Sequence, residues 1–513
     1  MCRTTPALFS VCLAAVCIAN VGNLSLAGEV SGKRSGFCVV SFVDQNDTYD
    51  KAAQELVTLR KAAILRATPE DLEPLVSQLR KAAPRYVAFV VRPDQFDVNL
   101  AHRVLKIATQ IDDDPFIDFS YGFITGRTPE AAVQLAKAGV KAQRKRRKPS
   151  IAIAGVAGGT FLKKSMSQNQ ILPLKKMPLK MRWNHIVLPE SNDGQRDTKF
   201  IDKALTDLEA SPLIAFAGHG FPDQVVGGPN ASDIRDRNYE GAVAFNIACY
   251  TGVTSKWFEQ DWKTAKLVEQ CVEPTNSFCL QMIDSGVAAY VAYSCPRPAG
   301  MEMFADMVSL ATEGISVGEQ RRRQGNSVIL THLAQSFDGV VADELTDGQQ
   351  LKQQGVEATV REMSAGGVLF GDPAFVPFKK SASAFPIALK GKRTDDKLLL
   401  SVRVDGPLWF WHCSDPLEQT KFRLQARIPL GERHVQSVAM SKFPFGQDRK
   451  PLRVSGAVET HLGRRYVHVK GLFDKLENQQ MMDYQSGVQG TFVVKTTNDV
   501  AQSKQRFLKM AAN

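Results

Sequence analysis

Pro212-Leu-Ile-Ala-Phe-Ala-Gly-His-Gly220 and Gly241-Ala-Val-Ala-Phe-Asn-Ile-Ala-Cys-Tyr-Thr-Gly252 decide how the chain is read. Residues 212–217 and 242–248 are short apolar runs, the pattern of strands buried on both faces of a parallel sheet. A polar loop rich in Gly, Pro, Asn and Asp separates them. Each run stops at a side chain with reactive chemistry, His219 after the first and Cys249 after the second. In an open parallel sheet, ligands gather outside the carboxyl ends of the strands. Two neighbouring parallel strands would therefore present His219 and Cys249 at one edge. A thiol needs a base to become a nucleophilic thiolate near neutral pH, and an imidazole is the usual partner. The pair reads as a Cys-His nucleophilic dyad. A free Cys by itself is ordinarily an inert buried residue; His219 at the end of a similar strand sets Cys249 apart.

The flanking sequence gives an α/β class. Residues 37–43, 86–91 and 115–125 read as strands, and residues 50–65, 69–83, 99–111 and 129–142 as helices, with Thr68 and Thr128 as caps of the second and fourth. This alternation predicts a parallel sheet with helices on both faces, an α/β/α sandwich in two subdomains. The basic run 141–148, KAQRKRRK, reads as an exposed loop between them, open to self-processing if the protein cuts after basic residues. Residues 150–154 begin a new strand. Gly155, Gly158 and Gly159 after it match neither a dinucleotide nor a nucleoside-triphosphate loop and read as a tight turn or a loop bordering the active site. His185, Glu190 and Asp193 lie in a polar stretch before a helix at 198–208 and are candidates for orienting His219. A helix at 276–285 leads into a strand at 287–293, broken by Pro296-Arg-Pro298. Residues 294–301 are expected to line the substrate cleft, with Ser294 and Arg297 as substrate contacts. Helices follow at 302–312 and 317–332. From about Phe385 short strands separated by turn residues predict a C-terminal β-sandwich.

A strand ending in His-Gly, then a strand ending in Ala-Cys, resembles the caspase-haemoglobinase clan of cysteine peptidases, and within it the gingipain-like peptidases. Asp118-Phe-Ser-Tyr-Gly-Phe-Ile-Thr-Gly126, Gly286-Val-Ala-Ala-Tyr-Val-Ala-Tyr-Ser294 and Leu369-Phe-Gly-Asp-Pro373 resemble further segments of that family, so the likeness covers roughly residues 35–380. It implies a caspase-like fold, an immunoglobulin-like module after it, and an oxyanion hole made by the backbone N–H groups of Gly220 and Cys249. Gly220 suits that role physically, since a missing Cβ lets a carbonyl approach the main chain. No carboxylate matches a third catalytic member. Arg297 near the cleft would disfavour a basic residue at the cut site and suit an acidic one, so cleavage after Arg or Lys is only what the resemblance implies.

Composition is that of an ordinary globular protein, 44% hydrophobic and 23% charged, and 513 residues allow several domains with real cores. The net charge of +11 leaves anionic surfaces, the cell surface or envelope among them, open as partners, but no nucleic-acid motif accompanies it. Arg3, an apolar core at 7–21 and Ser25-Leu-Ala27 read as a cleavable secretory signal over 1–27, placing the protein outside the cell or in the periplasm or envelope. Cys38, Cys249, Cys271, Cys279, Cys295 and Cys413 would remain, too scattered for a disulfide scaffold. No HExxH or Cys-His cluster suggests a metal, and no cofactor is expected. The domains expected are 28–148, an N-terminal α/β subdomain; 149–380, a caspase-like catalytic subdomain; and 381–513, an immunoglobulin-like β-sandwich. The first functional reading is a secreted cysteine endopeptidase acting on protein or peptide substrates through a thioester acyl-enzyme. The alternatives are a catalytically silent caspase-like fold serving as a secreted or envelope binding protein, and an acyltransferase using the same dyad.

Overall fold

Parallel strands with both faces covered must be largely apolar, and the inner strands of the large sheet meet this demand. A computed structural model describes residues 36–145, 147–158, 180–188, 198–260, 264, 266–295, 302–333, 367–380, 387–394, 396–405, 421–474 and 487–498. Its first part runs β1 (Phe37–Ser41), α1 (Asp50–Arg60), β2 (Ala63–Arg66), α2 (Glu73–Ala82), β3 (Tyr86–Val90), α3 (Val98–Ala108), β4 (Ser120–Ile124) and α4 (Pro129–Lys145). Then come β5 (Ser150–Gly158), β6 (Lys180–Leu188), α5 (Thr198–Glu209), β7 (Leu213–Ala217), β8 (Gly220–Phe221), β9 (Gln224–Val225), α6 (Ala231–Ile234) and β10 (Val243–Asn246). The hairpin β11 (Lys256–Gln260) and β12 (Leu267–Cys271) precedes α7 (Phe278–Asp284), β13 (Ala289–Tyr293), α8 (Glu302–Glu313), α9 (Val317–Leu333) and β14 (Gly367–Gly371). The C-terminal part is all β: β15 (Ile387–Arg393), β16 (Lys397–Asp405), β17 (Lys421–Pro429), β18 (His434–Lys442), β19 (Arg453–His461), β20 (Arg464–Asp474) and β21 (Gly487–Thr497).

One ten-stranded sheet spans both halves of the α/β region, in the order β2-β1-β3-β4-β14-β13-β10-β7-β5-β6. Pairing is parallel within each half, while β14 runs antiparallel to β13 and meets β4 at the single pair Phe370–Phe123. Side chains alternate between two cores, as the period of two requires. Ile214, Phe216, Ala244, Tyr290 and Ala292 enter one. Leu213, Ala215, Val243, Phe245 and Val291 enter the other. The last described part folds as two antiparallel sheets, β15-β16-β21-β18 and β17-β20-β19, enclosing a core that includes Leu400, Val402, Leu424, Val467 and Phe492.

Several local expectations are corrected. The expected helix 50–65 stops at Arg60, because Lys61 turns left-handed (φ 50), and β2 follows at an edge of the sheet. The helix expected over 69–83 begins at Glu73, and Thr68 instead accepts from Asp71 N at 3.3 Å in a turn. The basic run is no loop up to Lys145. It is the last turn of α4, where cations suit the exposed carbonyl end of the helix and Lys141 and Lys145 reach the Glu240 carboxylate. Gly155 and Gly158 lie within β5, and His185 lies on β6 rather than in a polar loop. The signal stretch, Gly159, Glu190, Asp193, Arg297 and Cys413 lie outside the described residues.

Buried charge docks the sandwich on the α/β region. Glu459 on β19 accepts from Arg322 Nη1 (2.5 Å) and Asn326 Nδ2 (3.2 Å) of α9, and from Arg427 on β17 and His468 Nε2 (2.7 Å) on β20. Its side chain is 1% exposed, as is that of Arg322. Arg322 also bonds Glu319, and Arg323 bonds Glu319 and Glu313, all on α8 or α9 or the end between them. The loop before β4 meets the same interface: Asp114 accepts from Thr460 N, His461 Nδ1 donates to the Asp118 carbonyl at 3.0 Å, and Phe116 stacks on His468. Burial works to raise the Glu459 carboxyl, but the Arg322 and Arg427 guanidiniums prevail and hold it well below the usual range. Burial, with the nearby Asp112 carboxylate adding to it, pushes Asp114 up to about 7 and Asp118 up to about 9.

Removing one partner from such a cluster strands the others in low dielectric. Glu459→Ala should cost roughly 3–5 kcal/mol of stability, read from denaturant unfolding; a loss under ~1 kcal/mol would mean that water enters the cluster. The linkage signs oppose one another. Glu459 and Glu319, with depressed values, contribute stability above the ordinary carboxyl range and lose it as pH falls. Asp118, with a raised value, contributes fully below its unfolded value and loses that contribution as pH rises through about 9. Asp118→Asn should therefore flatten the decline in melting temperature between mildly acidic pH and about 9, whereas an unchanged slope would show that this carboxyl ionises freely in the folded protein.

Candidate active site

β7 and β10 are adjacent and parallel, with Val243 opposite Leu213 and Asn246 opposite Phe216. The pairing continues past the strand ends, as Ile247 N donates to Phe216 O at 3.1 Å. Three positions beyond Phe216 stands His219, and three beyond Asn246 stands Cys249. The register thus brings the chain leaving β7, with His219, and the chain leaving β10, with Cys249, to the same edge of the sheet. The main chains touch directly: a Cβ built on Gly220 would lie 2.6 Å from Ala248 Cβ and 2.8 Å from the Cys249 carbonyl oxygen. Only glycine fits between them. His219 is exposed and Cys249 half-buried, so both are open to a ligand.

Both loops are braced. After His219 the chain forms the β8–β9 hairpin, closed by Val226 N donating to His219 O at 2.8 Å. Its tip is tied to α7, where Phe278 N donates to Pro222 O at 2.8 Å. The residue before that helix, Ser277, caps it by accepting from Leu280 N and donates through Oγ to Val253 O at 2.7 Å. One helix start therefore holds the His hairpin and the Cys loop together. On the Cys side, buried Asn246 accepts from Ala248 N at 3.0 Å, an Asx turn that bends the chain just before the thiol. Thr251 Oγ1 donates back to Ala248 O at 2.9 Å. Between them Tyr250 is left-handed (φ 60), an uncommon state for a bulky residue, and its ring packs edge-on against Trp257 at 4.6 Å. Gly252 passes so close to β13 that a Cβ would meet the Tyr293 carbonyl carbon at 3.0 Å.

The other predicted residues divide. Ser294 follows β13 at the same sheet edge but is only 2% exposed, so its side chain faces the protein rather than an open cleft. The β6 backbone carries His185 two strands away from β7, across β5. Asp372, in the Leu369–Pro373 segment, is buried; it accepts from Ala374 N in a turn and pairs with Arg60. Among the other described thiols, Cys38 and Cys279 are buried, and burial raises Cys38 to about 11 and Cys279 well above its ordinary value. Cys295 is buried too, and Cys271 is exposed on the β12 hairpin strand. No cluster of metal-ligating side chains occurs among the described residues. Asn246, Ser277 and Tyr250 were not singled out by sequence. Ser before the apolar run Phe-Cys-Leu was a legible capping signal; the other two act only through the folded turn.

No family model matches the chain, and no curated protein matches it. Among solved structures it is similar to the complex of Porphyromonas gingivalis RgpB pro- and mature domains, at 11% identity over 72% of this chain and 86% of that one, with a TM-score of 0.35. It is similar to a structure described as that of a protease, at 12% identity over 86% of this chain and 92% of that one, with a TM-score of 0.38. The Saccharomyces cerevisiae separase–securin complex matches 64% of this chain and 22% of its own at 12% identity, with a TM-score of 0.27. Likenesses of this size transfer no site residue and no mechanism to the chain.

The contact at Gly220 gives a direct test. Gly220→Ala forces the two main chains apart, so it should cost about 1–3 kcal/mol of stability, the scale of overpacking, and lower the reactivity of Cys249 toward an acyloxymethyl-ketone peptide on the order of a hundredfold, the scale of a lost hydrogen-bond donor at such a site. Unchanged reactivity would show that the two main chains separate in solution.

Proposed function

We propose that the protein is a gingipain-like cysteine endopeptidase, with Cys249 as nucleophile and His219 as its acid-base partner. The observation that carries this reading is that His219 and Cys249 follow the carboxyl ends of adjacent parallel strands, with Gly220 pressed against Cys249. In the first step the Cys249 thiolate forms a C–S bond to the scissile carbonyl carbon, and the carbonyl oxygen takes the negative charge. The N–H groups of Gly220 and Cys249 are proposed to receive that oxyanion. As the C–N bond breaks, the His219 imidazolium gives its proton to the departing amine. His219 then takes a proton from water, the resulting hydroxide attacks the thioester carbon, and the thiolate leaves as the product acid forms. Exposure of His219 suits a group that must reach both amine and water. Phe221 and Val226, 42% and 37% exposed, border the His hairpin and offer apolar contact to a bound peptide. Arg297 is proposed to line the cleft beyond β13, and a signal over residues 1–27 would deliver the enzyme to the periplasm, the envelope or the medium.

The test is labelling of the purified protein with an acyloxymethyl-ketone peptide, followed by peptide mapping. Labelling is expected at Cys249, abolished in Cys249→Ala and reduced by at least about a hundredfold in His219→Ala, in line with the loss of an acid-base partner. The exposed Cys271 serves as the internal standard for an ordinary thiol. Equal labelling of Cys249 and Cys271, insensitive to His219→Ala, would overturn the proposal.

A further inference from the structure

The strands whose carboxyl ends lead to the candidate dyad frame a cavity at their amino ends. Pro212 lies just before β7, Gly241 before β10, and Val287 before β13, and all three line a space of about 400 Å³. This volume falls within the roughly 300–1,000 Å³ typical of small-molecule sites. The floor is apolar, with Ile283 at the end of α7 and Phe375 and Phe378 after β14 joining Pro212 and Val287. α4 and the chain after it line the same space with Leu135, Ala138 and Ala142 and bring four cations, Lys137, Lys141, Lys145 and Arg147. One carboxylate, Glu240, lines the same space.

That single carboxylate is shared. Lys141 Nζ lies 2.8 Å and Lys145 Nζ 3.5 Å from Glu240 Oε1. Arg147 Nη2 donates to the Glu240 main-chain carbonyl at 3.0 Å and so leaves the carboxylate to the lysines. The Lys141 and Lys145 ammonium groups hold the Glu240 carboxyl below its ordinary range. Lys137 pairs at 3.2 Å with Glu55 on α1, which does not line the cavity. An apolar floor beneath an under-neutralised cationic rim is complementary to a molecule with an apolar body and an anionic end.

We propose that this cavity binds an amphiphilic organic anion, its apolar body on the floor formed by Pro212, Ile283, Val287 and Phe378 and its carboxylate, sulfonate or phosphate end at Lys141, Lys145 and Arg147. The site is separate from the dyad and stands whether or not Cys249 is catalytic. Its occupant would pack against the starting ends of β7, β10 and β13, the three strands whose far ends lead into His219, Cys249 and Ser294.

The probe is 8-anilinonaphthalene-1-sulfonate, titrated into the purified full-length protein at low salt, with dodecanoate and inorganic phosphate as competitors. Expected is one saturable class of sites, displaced by dodecanoate and not by equimolar phosphate. Replacing both Lys141→Ala and Lys145→Ala should weaken it about tenfold, the scale of two exposed charge contacts. Glu240→Gln should tighten it by freeing both lysines. Phosphate competing as well as dodecanoate would reduce the site to a simple anion contact and overturn the proposal, as would a titration indifferent to all three substitutions. A second readout does not depend on the variants folding: dodecanoate should protect Lys141 and Lys145 of the unaltered protein from acetylation, mapped by mass. Equal acetylation with and without dodecanoate would also overturn it.

Discussion

The parallel pairing of β7 with β10 is the constraint on which the rest of the site depends. Each strand is closed on both faces, by Ile214 and Phe216 on one side and Leu213 and Ala215 on the other in β7. A slip of one residue would send each of these side chains into the wrong core. The register is therefore fixed by burial far from any chemistry. Because it is fixed, two loops that have no sequence contact are delivered side by side, and the close approach of Gly220 to Cys249 follows. The loops need further bracing only to choose direction, and α7 supplies it through Pro222 and Val253.

A different principle joins the sandwich to the α/β region. Its interface is built from ion pairs and hydrogen bonds as well as apolar area, centred on Glu459 and Arg322. Buried ion pairs contribute little net stability against a hydrophobic replacement, because desolvation offsets their attraction. What they impose is selectivity of docking. A shifted interface would leave Arg322, Arg427 or Glu459 buried without a partner, at a cost larger than most packing errors. The same α9 helix bonds the Ile117 backbone through Arg322 and Asn326, so the sandwich and the strand that begins at Ser120 are positioned by one element. The two strongly raised aspartates sit at this junction and couple its stability to pH.

The elements that sequence made legible share a feature: their environment is uniform along their length. Phe37–Ser41, Tyr86–Val90, Leu213–Ala217 and Ala289–Tyr293 are buried on both faces, and their composition says so. The elements that escaped have mixed surroundings. Ala63–Arg66 is at an edge of the sheet and only partly buried, and its residues continue a helical periodicity that Lys61 interrupts by a backbone turn. The polar residues of Lys180–Leu188, another edge strand, hid its pairing with β5. The basic run misled because charge is equally at home in a loop and on the last turn of a helix; here residues 141–145 continue α4, with Lys141 and Lys145 reaching Glu240, remote in sequence.

For the site the division is similar. Sequence by itself determined that two apolar strands end in His219 and Cys249, since residue identity and hydrophobic runs are local properties. It also marked Gly220 as a place where main chain could be approached closely. The tertiary structure alone decided that β7 and β10 are neighbours, that their ends are level, and that Ser294 is buried while Cys271 is exposed. It alone gathered Arg322, Glu459 and His468, and Lys141, Lys145 and Glu240, from distant stretches of chain. Neither charge nor hydrogen bonding leaves a periodic trace in sequence; which partners meet is settled only when the hydrophobic cores have fixed where each strand and helix lies.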